Sequence, residues 1–154
     1  MSKIKFDALQ IPEIKISYSA KIPASQRPKV NTSAQAAALF RNHWDKDQLG
    51  FVESFKVMLF NRANRVLGIY TASIGGISGT VADPKLIFAT ALKSASCGIL
   101  LCHNHPSGNL APSQADINLT KKIKEAGKLL DIAVLDHIIL TEENYFSFQD
   151  NGYF

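Results

Sequence analysis

The residues best equipped for chemistry lie close together: His103-Asn104-His105, then Pro106-Ser107-Gly108, then Pro112-Ser113-Gln114-Ala115-Asp116. Side chains on an extended strand repeat every two residues, so His103 and His105 project to one side and their ring nitrogens can converge on a single ion. Asp116, with ten residues between it and His105, can return as an oxygen ligand. Two neutral imidazoles and a carboxylate suit zinc, and three protein ligands leave a fourth position open for water. Water held there loses a proton near neutral pH and becomes a nucleophile.

Each of these residues also has a plainer reading. A lone histidine in a tight Pro-Gly loop is ordinarily a polar loop residue. Ser113-x-x-Asp116 has the form of a capping box, in which the acidic residue satisfies backbone donors at a helix start. One carboxylate cannot serve cap and ion fully, and its spacing from Ser113, taken alone, favours the cap. Cys102 precedes His103, but alternation turns it to the opposite face. Cys97 and Cys102 are therefore expected as reduced, buried thiols. His137, beside Asp136, fits either a support behind the site or a satisfied strand histidine. His43 reads as a surface helix residue. Turn chemistry accounts for Asn104 and Ser107 as well as any positioning role does.

The elements that must carry these residues follow from periodicity. Residues 14–18 alternate like a strand, and Pro23 and Pro28 mark a connector. Residues 1–30 are thus set apart as an N-terminal strand or extended arm, packed on a domain over residues 31–154. Ser33 is expected to cap a helix from Ala34 to about His43, with Trp44 packing at its end. Asp45 and Asp47 read as loop residues. Residues 53–61 alternate and join residues 66–70 through an Arg62-Ala63-Asn64 hairpin connection. Gly75, Gly76 and Gly79 supply turns. Asp83 and Pro84 open a helix through about Ser94. Residues 99–102 form a short apolar run, as in a strand buried on both faces, which delivers His103 and His105 at its end. Ser113 opens a helix to about Leu130, with Ile117, Thr120, Ile123 and Ala126 inward. Residues 132–140 and 145–148 read as further strands. The pattern predicts an α/β (α+β) domain, a mixed sheet flanked by helices.

Composition narrows the class. At 154 residues the chain is most economically one domain. A hydrophobic fraction of 46% supplies a core while leaving the chain within the ordinary globular range. No apolar run approaches the roughly 18 residues that span a bilayer. The first five residues lack the features of a secretory signal, so a cytoplasmic location without membrane association is expected. A net charge of +4 and a pI near 9.1 permit weak, nonspecific contact with nucleic acid without requiring it. Lys121, Lys124 and Lys128 share one helix face, which reads as solvated. Oligomeric state is not legible.

His103-x-His105, seven residues, Ser113, two residues and Asp116 resemble the complete JAMM motif of the JAB/MPN metalloprotease superfamily. His-Asn-His-Pro-Ser-Gly and Leu135-Asp136-His137-Ile138-Ile139 resemble its RadC-like branch, over about residues 30–154. The contiguous His-Asn-His is not the dispersed constellation of the HNH nucleases. The resemblance implies the JAB/MPN fold, related to the cytidine-deaminase architecture. It also implies zinc (Zn2+) held by His103, His105 and Asp116, which decides Asp116 for the ion. The superfamily takes its proton acceptor from an upstream glutamate, matched here by Glu53 at a strand start. It assigns the Ser113 hydroxyl to hydrogen bonding of an oxyanion. The expected function is that of a zinc-dependent metallopeptidase-type hydrolase, acting on an amide or isopeptide bond of a peptide or protein substrate. RadC-like proteins also carry a DNA-repair name, so the alternative is a nucleic-acid-associated repair accessory protein without peptidase activity. Against that, residues 1–50 show no hairpin-type glycine motif of the helix-hairpin-helix module that accompanies the branch.

Overall fold

Alternating apolar side chains at residues 54–60 and an apolar run at residues 98–102 place two strands at the centre of a sheet. A computed structural model describes residues 12–76 and 81–154. Its strands are β1 (Ser54–Phe60), β2 (Val66–Ile74), β3 (Gly98–Asn104), β4 (Ala133–Leu140) and β5 (Tyr145–Ser147), in the spatial order β2-β1-β3-β4-β5. Among the described residues only the β3–β4 pair is parallel, and α4 (Gln114–Leu129) makes that crossover. The other pairs are antiparallel. The architecture is the expected α/β arrangement, a mixed sheet flanked by helices.

Apolar side chains on both faces of the sheet make two cores. On one face Met58, Phe60, Leu100, Cys102, Ile138 and Leu140 pack with Ala36, Ala37 and Phe40 of α1 (Ser33–His43) and with Trp44. On the other, Phe55, Val57, Leu59, Ile99 and Leu101 pack with Ile87, Phe88 and Ala91 of α3 (Pro84–Lys93) and Ile123 of α4. Every residue of β3 is buried, as the apolar run demanded. His103 takes the α4 side and Cys102 the α1 side. Burial pushes the Cys102 thiol well above its ordinary range, which keeps it an inert apolar group. Cys97 is free as expected but only partly buried.

Several boundaries differ from expectation for identifiable reasons. Thr32, not Ser33, caps α1: its side chain accepts from the Gln35 backbone N–H, leaving Ser33 as the first helical residue. A short helix, α2 (Lys46–Leu49), occupies the stretch expected as loop, because Asp45 caps it from the Asp47 N–H. The strand expected at residues 66–70 continues to Ile74, pairing with Ser54. Residues 14–18 form no strand despite their alternation. They run extended and largely exposed, and the Tyr18 hydroxyl donates to the Leu67 carbonyl at 2.8 Å. With Ile14 at 90% and Ile16 at 78% exposure, no core rewards the alternation there. The turn expected at Gly79 lies outside the described residues.

Candidate metal centre

The site grows from the C-terminal end of β3. Register sets its first pair: Phe55 of β1 lies opposite His103. Carrying that antiparallel register two residues further sets Glu53 opposite His105, with its side chain on the same face as both histidines. Glu53, His103 and His105 each offer one atom, and these atoms lie within 4.8 Å of one another. The Phe55 ring stacks on the His103 imidazole at 6.0 Å between centroids and 5° between planes.

Asp116 closes the group from α4. Its Oδ1 lies 3.3 Å from His103 Nε2 and its Oδ2 3.7 Å from His105 Nε2. The capping box expected as the plainer reading is also formed. Ser113 donates to Asp116 Oδ2 from both backbone N and Oγ, each at 2.7 Å, and Ser113 Oγ accepts from the Asp116 N–H at 3.1 Å. Oδ2 takes the cap and faces His105, and Oδ1 faces His103. Burial opposes ionisation of Asp116, but hydrogen bonding and charge from His103, then hydrogen bonds from Ser113, outweigh it. The carboxyl is held well below the usual carboxylate range. Ser113 Oγ has one proton, and here it is committed to Asp116 Oδ2. Serving an oxyanion requires that hydroxyl to turn.

The donor set fits a cation. His105 Nδ1 lies 2.7 Å from the Asn109 carbonyl oxygen, which can only accept. The ring proton therefore sits on Nδ1, and Nε2 presents a lone pair. His103 Nε2 stands 2.9 Å from that lone pair and 3.3 Å from Asp116 Oδ1, while Asp116 Oδ2 lies 3.7 Å from His105 Nε2. A proton between the rings reconciles one such contact. A divalent ion with nitrogen and oxygen preference reconciles them all.

Two residues whose roles the sequence left open support the site. Asn104, for which a turn role and a positioning role were equally open, is fully buried. Its Oδ1 accepts from the Ser54 N–H at 2.7 Å, and its Nδ2 donates to the carbonyls of Leu49 at 2.7 Å and Val52 at 2.8 Å. It thus clamps the backbone on both sides of Glu53. Gly75 and Gly76 complete the hold: Glu53 N donates to Gly76 O at 3.2 Å, and Gly75 N donates to Glu53 O at 2.8 Å. His137 is the other. It is wholly buried, with its Nε2 2.8 Å from His103 Nδ1. Asp136 beside it turns elsewhere, accepting from the Ser147 hydroxyl, from Gln149 N–H and from the His137 backbone N–H. His43 is exposed, as expected.

A family profile described as RadC-like JAB domain matches residues 30–153. A UPF0758 protein of Flavobacterium johnsoniae is 51% identical over 102 residues, covering 66% of this chain and 44% of the relative. UPF0758 proteins of Alkaliphilus metalliredigens and Caldanaerobacter subterraneus are 44% and 39% identical, covering 43% and 44% of their own lengths. The chain therefore spans less than half the length of these relatives. Among the described residues no helix is long and apolar enough to cross a membrane. The profile match runs through both sheet faces and every candidate residue of the site, and the chain belongs to the RadC-like JAB domain family.

Proposed function

We propose that this domain is a zinc-dependent hydrolase of the metallopeptidase type, cleaving an amide or isopeptide bond in a peptide or protein. The observation that carries the reading is the grouping of Glu53, His103 and His105 at one sheet end, their ligand atoms within 4.8 Å of one another, with Asp116 Oδ1 3.3 Å from His103 Nε2 and Oδ2 3.7 Å from His105 Nε2. His103 Nε2, His105 Nε2 and Asp116 Oδ1 would hold the ion. Zinc bound there supplies Lewis acidity toward a carbonyl oxygen and brings a water's pKa near neutrality. Glu53 is the proton carrier: its carboxylate accepts a proton from the attacking water and returns it to the leaving amine. Asp116 is tied into its helix cap and stays ionised, which suits a ligand better than a base. The Ser113 hydroxyl, released from Asp116 Oδ2, would donate to the carbonyl oxygen as charge builds there.

The test begins with a peptide and isopeptide cleavage screen of the zinc-loaded protein. Glu53→Gln keeps the size of the side chain and its ability to hydrogen-bond water but cannot take a proton. It is expected to lower turnover about 10²–10⁴-fold, with zinc content unchanged by metal analysis. Asp116→Asn is expected to lose zinc, a neutral amide being the poorer ligand. Equal zinc loss in both variants, or wild-type turnover by Glu53→Gln, would overturn the assigned roles.

Nucleic-acid association stands as the secondary reading. Lys124 sets its ammonium 4.2 Å from the Phe154 ring centroid, while Lys121 and Lys128 are exposed. The stripe they form has the character of a solvated helix face.

A further inference from the structure

A chain of short contacts runs behind the site. Thr120 Oγ1 lies 2.6 Å from the backbone carbonyl oxygen of Asp116, one turn earlier on α4. Thr120 Oγ1 also lies 2.6 Å from His137 Nδ1. His137 Nε2 lies 2.8 Å from His103 Nδ1. His137 and Thr120 are both buried, and the His137 ring is stacked on Phe148 at 4.6 Å between centroids. No buried side-chain polar atom among the described residues lacks a partner.

The protons in this chain have one consistent direction. A carbonyl oxygen only accepts, so the contact with Asp116 uses the single hydroxyl proton of Thr120. Thr120 Oγ1 must then accept from His137, which places the His137 proton on Nδ1. Among the described residues its ring nitrogens meet Thr120 and His103 and no carboxylate, and a buried imidazole without a carboxylate partner is neutral, so Nε2 is an acceptor. His103 must therefore donate from Nδ1, which leaves Nε2 as its metal-facing atom. The circuit begins on the backbone of Asp116 and ends on a histidine facing the same residue's carboxylate.

We propose that Thr120 and His137 form a positioning relay that fixes the tautomer and tilt of His103, so that its Nε2 lone pair is presented to the metal. The proposal rests on the metal-binding reading above. A metal-ligating histidine generally donates its second ring N–H to an orienting acceptor. Here that acceptor is a second histidine, which can act as one only while Thr120 holds its proton on the far nitrogen. Without the Thr120 hydroxyl, His137 can instead carry its proton on Nε2 and donate to His103 Nδ1. That moves the His103 proton onto Nε2, where it blocks the ion.

Zinc competition against a chromophoric chelator, on the whole chain at fixed pH, tests this. Thr120→Val keeps the shape and removes the hydroxyl. It is expected to weaken zinc binding about 10–100-fold, as is His137→Phe. Thr120→Ser restores the hydroxyl and is expected to bind as wild type. Nitrogen-15 imidazole spectra of the metal-free protein should place the His137 proton on Nδ1 in wild type and Thr120→Ser, and on Nε2 in Thr120→Val. A packing role alone would not move that signature. The double variant His103→Ala/His105→Ala serves as control and should lose the site. If it does while Thr120→Val and His137→Phe bind zinc as wild type, the relay is overturned and the metal site stands. A wild-type His137 proton found on Nε2 would overturn the relay in the same way. If the double variant binds zinc undiminished, the metal-binding reading falls and the relay falls with it.

Discussion

Asn104 sits between the two histidines and turns to the other face of β3, where its amide makes three hydrogen bonds around Glu53, two of them buried and the one to Val52 partly so. Removing it strands the Ser54 N–H and the carbonyls of Leu49 and Val52. Each buried group left unsatisfied costs about 1–3 kcal/mol. Asn104→Ala is therefore expected to destabilise the fold measurably in denaturant titration. It is also expected to lower turnover through a displaced Glu53, while zinc affinity stays close to wild type because no candidate ligand is touched. Zinc loss matching that of Asp116→Asn would show that the clamp holds the histidines and not Glu53. The pairing of the histidines was legible from their i, i+2 spacing, whereas Asp116 reads as a cap from spacing alone and is named for the ion only through the family resemblance. Glu53 was not legible from spacing, since its place depends on the β1–β3 register, which the alternation of β1 alone cannot set. The role of Asn104 was hidden for a similar reason: its three partners lie 50 to 55 residues away.

Among the elements, α4 links helix chemistry to the site most directly, since Ser113, Asp116 and Thr120 all ride on its first two turns. Its far end is set by Gly127. A Cβ there would drive into the backbone carbonyl of Ile132 and approach Val134 Cγ2 to 3.2 Å. The carbonyl belongs to backbone that cannot step aside as a flexible side chain does. Helix propensity alone favours alanine over glycine by about 1 kcal/mol. Gly127→Ala is nonetheless expected to destabilise the protein, by about 1–3 kcal/mol as overpacking typically does. The tilt it forces on α4 should also weaken zinc binding through Asp116. A rise in thermal midpoint would show instead that the helix end yields freely. Most elements were legible to within a residue or two, because β3 and α4 carry strong apolar patterns. The failures have local causes. The short α2 depends on a single Asp45 cap. Residues 14–18 alternate but find no core to bury them.

At the scale of the whole molecule, the question is whether the metal would hold the fold together or merely use it. Both apolar cores are built without His103, His105 or Asp116, and each spans the sheet and at least one helix. The metal-free protein should therefore be folded, unlike small domains whose only core is their zinc. The candidate ligands still come from two elements, β3 and α4, so an ion that binds only the folded chain must stabilise it by mass action. At free zinc about 100 times Kd that linkage amounts to about 2.7 kcal/mol, or roughly 5–11 °C in Tm for a chain of this size. Calorimetry should show a cooperative transition in chelator, displaced upward by zinc and restored by chelator. His103→Ala/His105→Ala should show the lower transition in both conditions. A metal-free chain without a cooperative transition would make the ion a structural one, and the open coordination position that hydrolysis requires would lose its support. An unchanged Tm at saturating zinc would mean that the ion does not select the folded state, and the convergence of β3 and α4 on it would need another explanation.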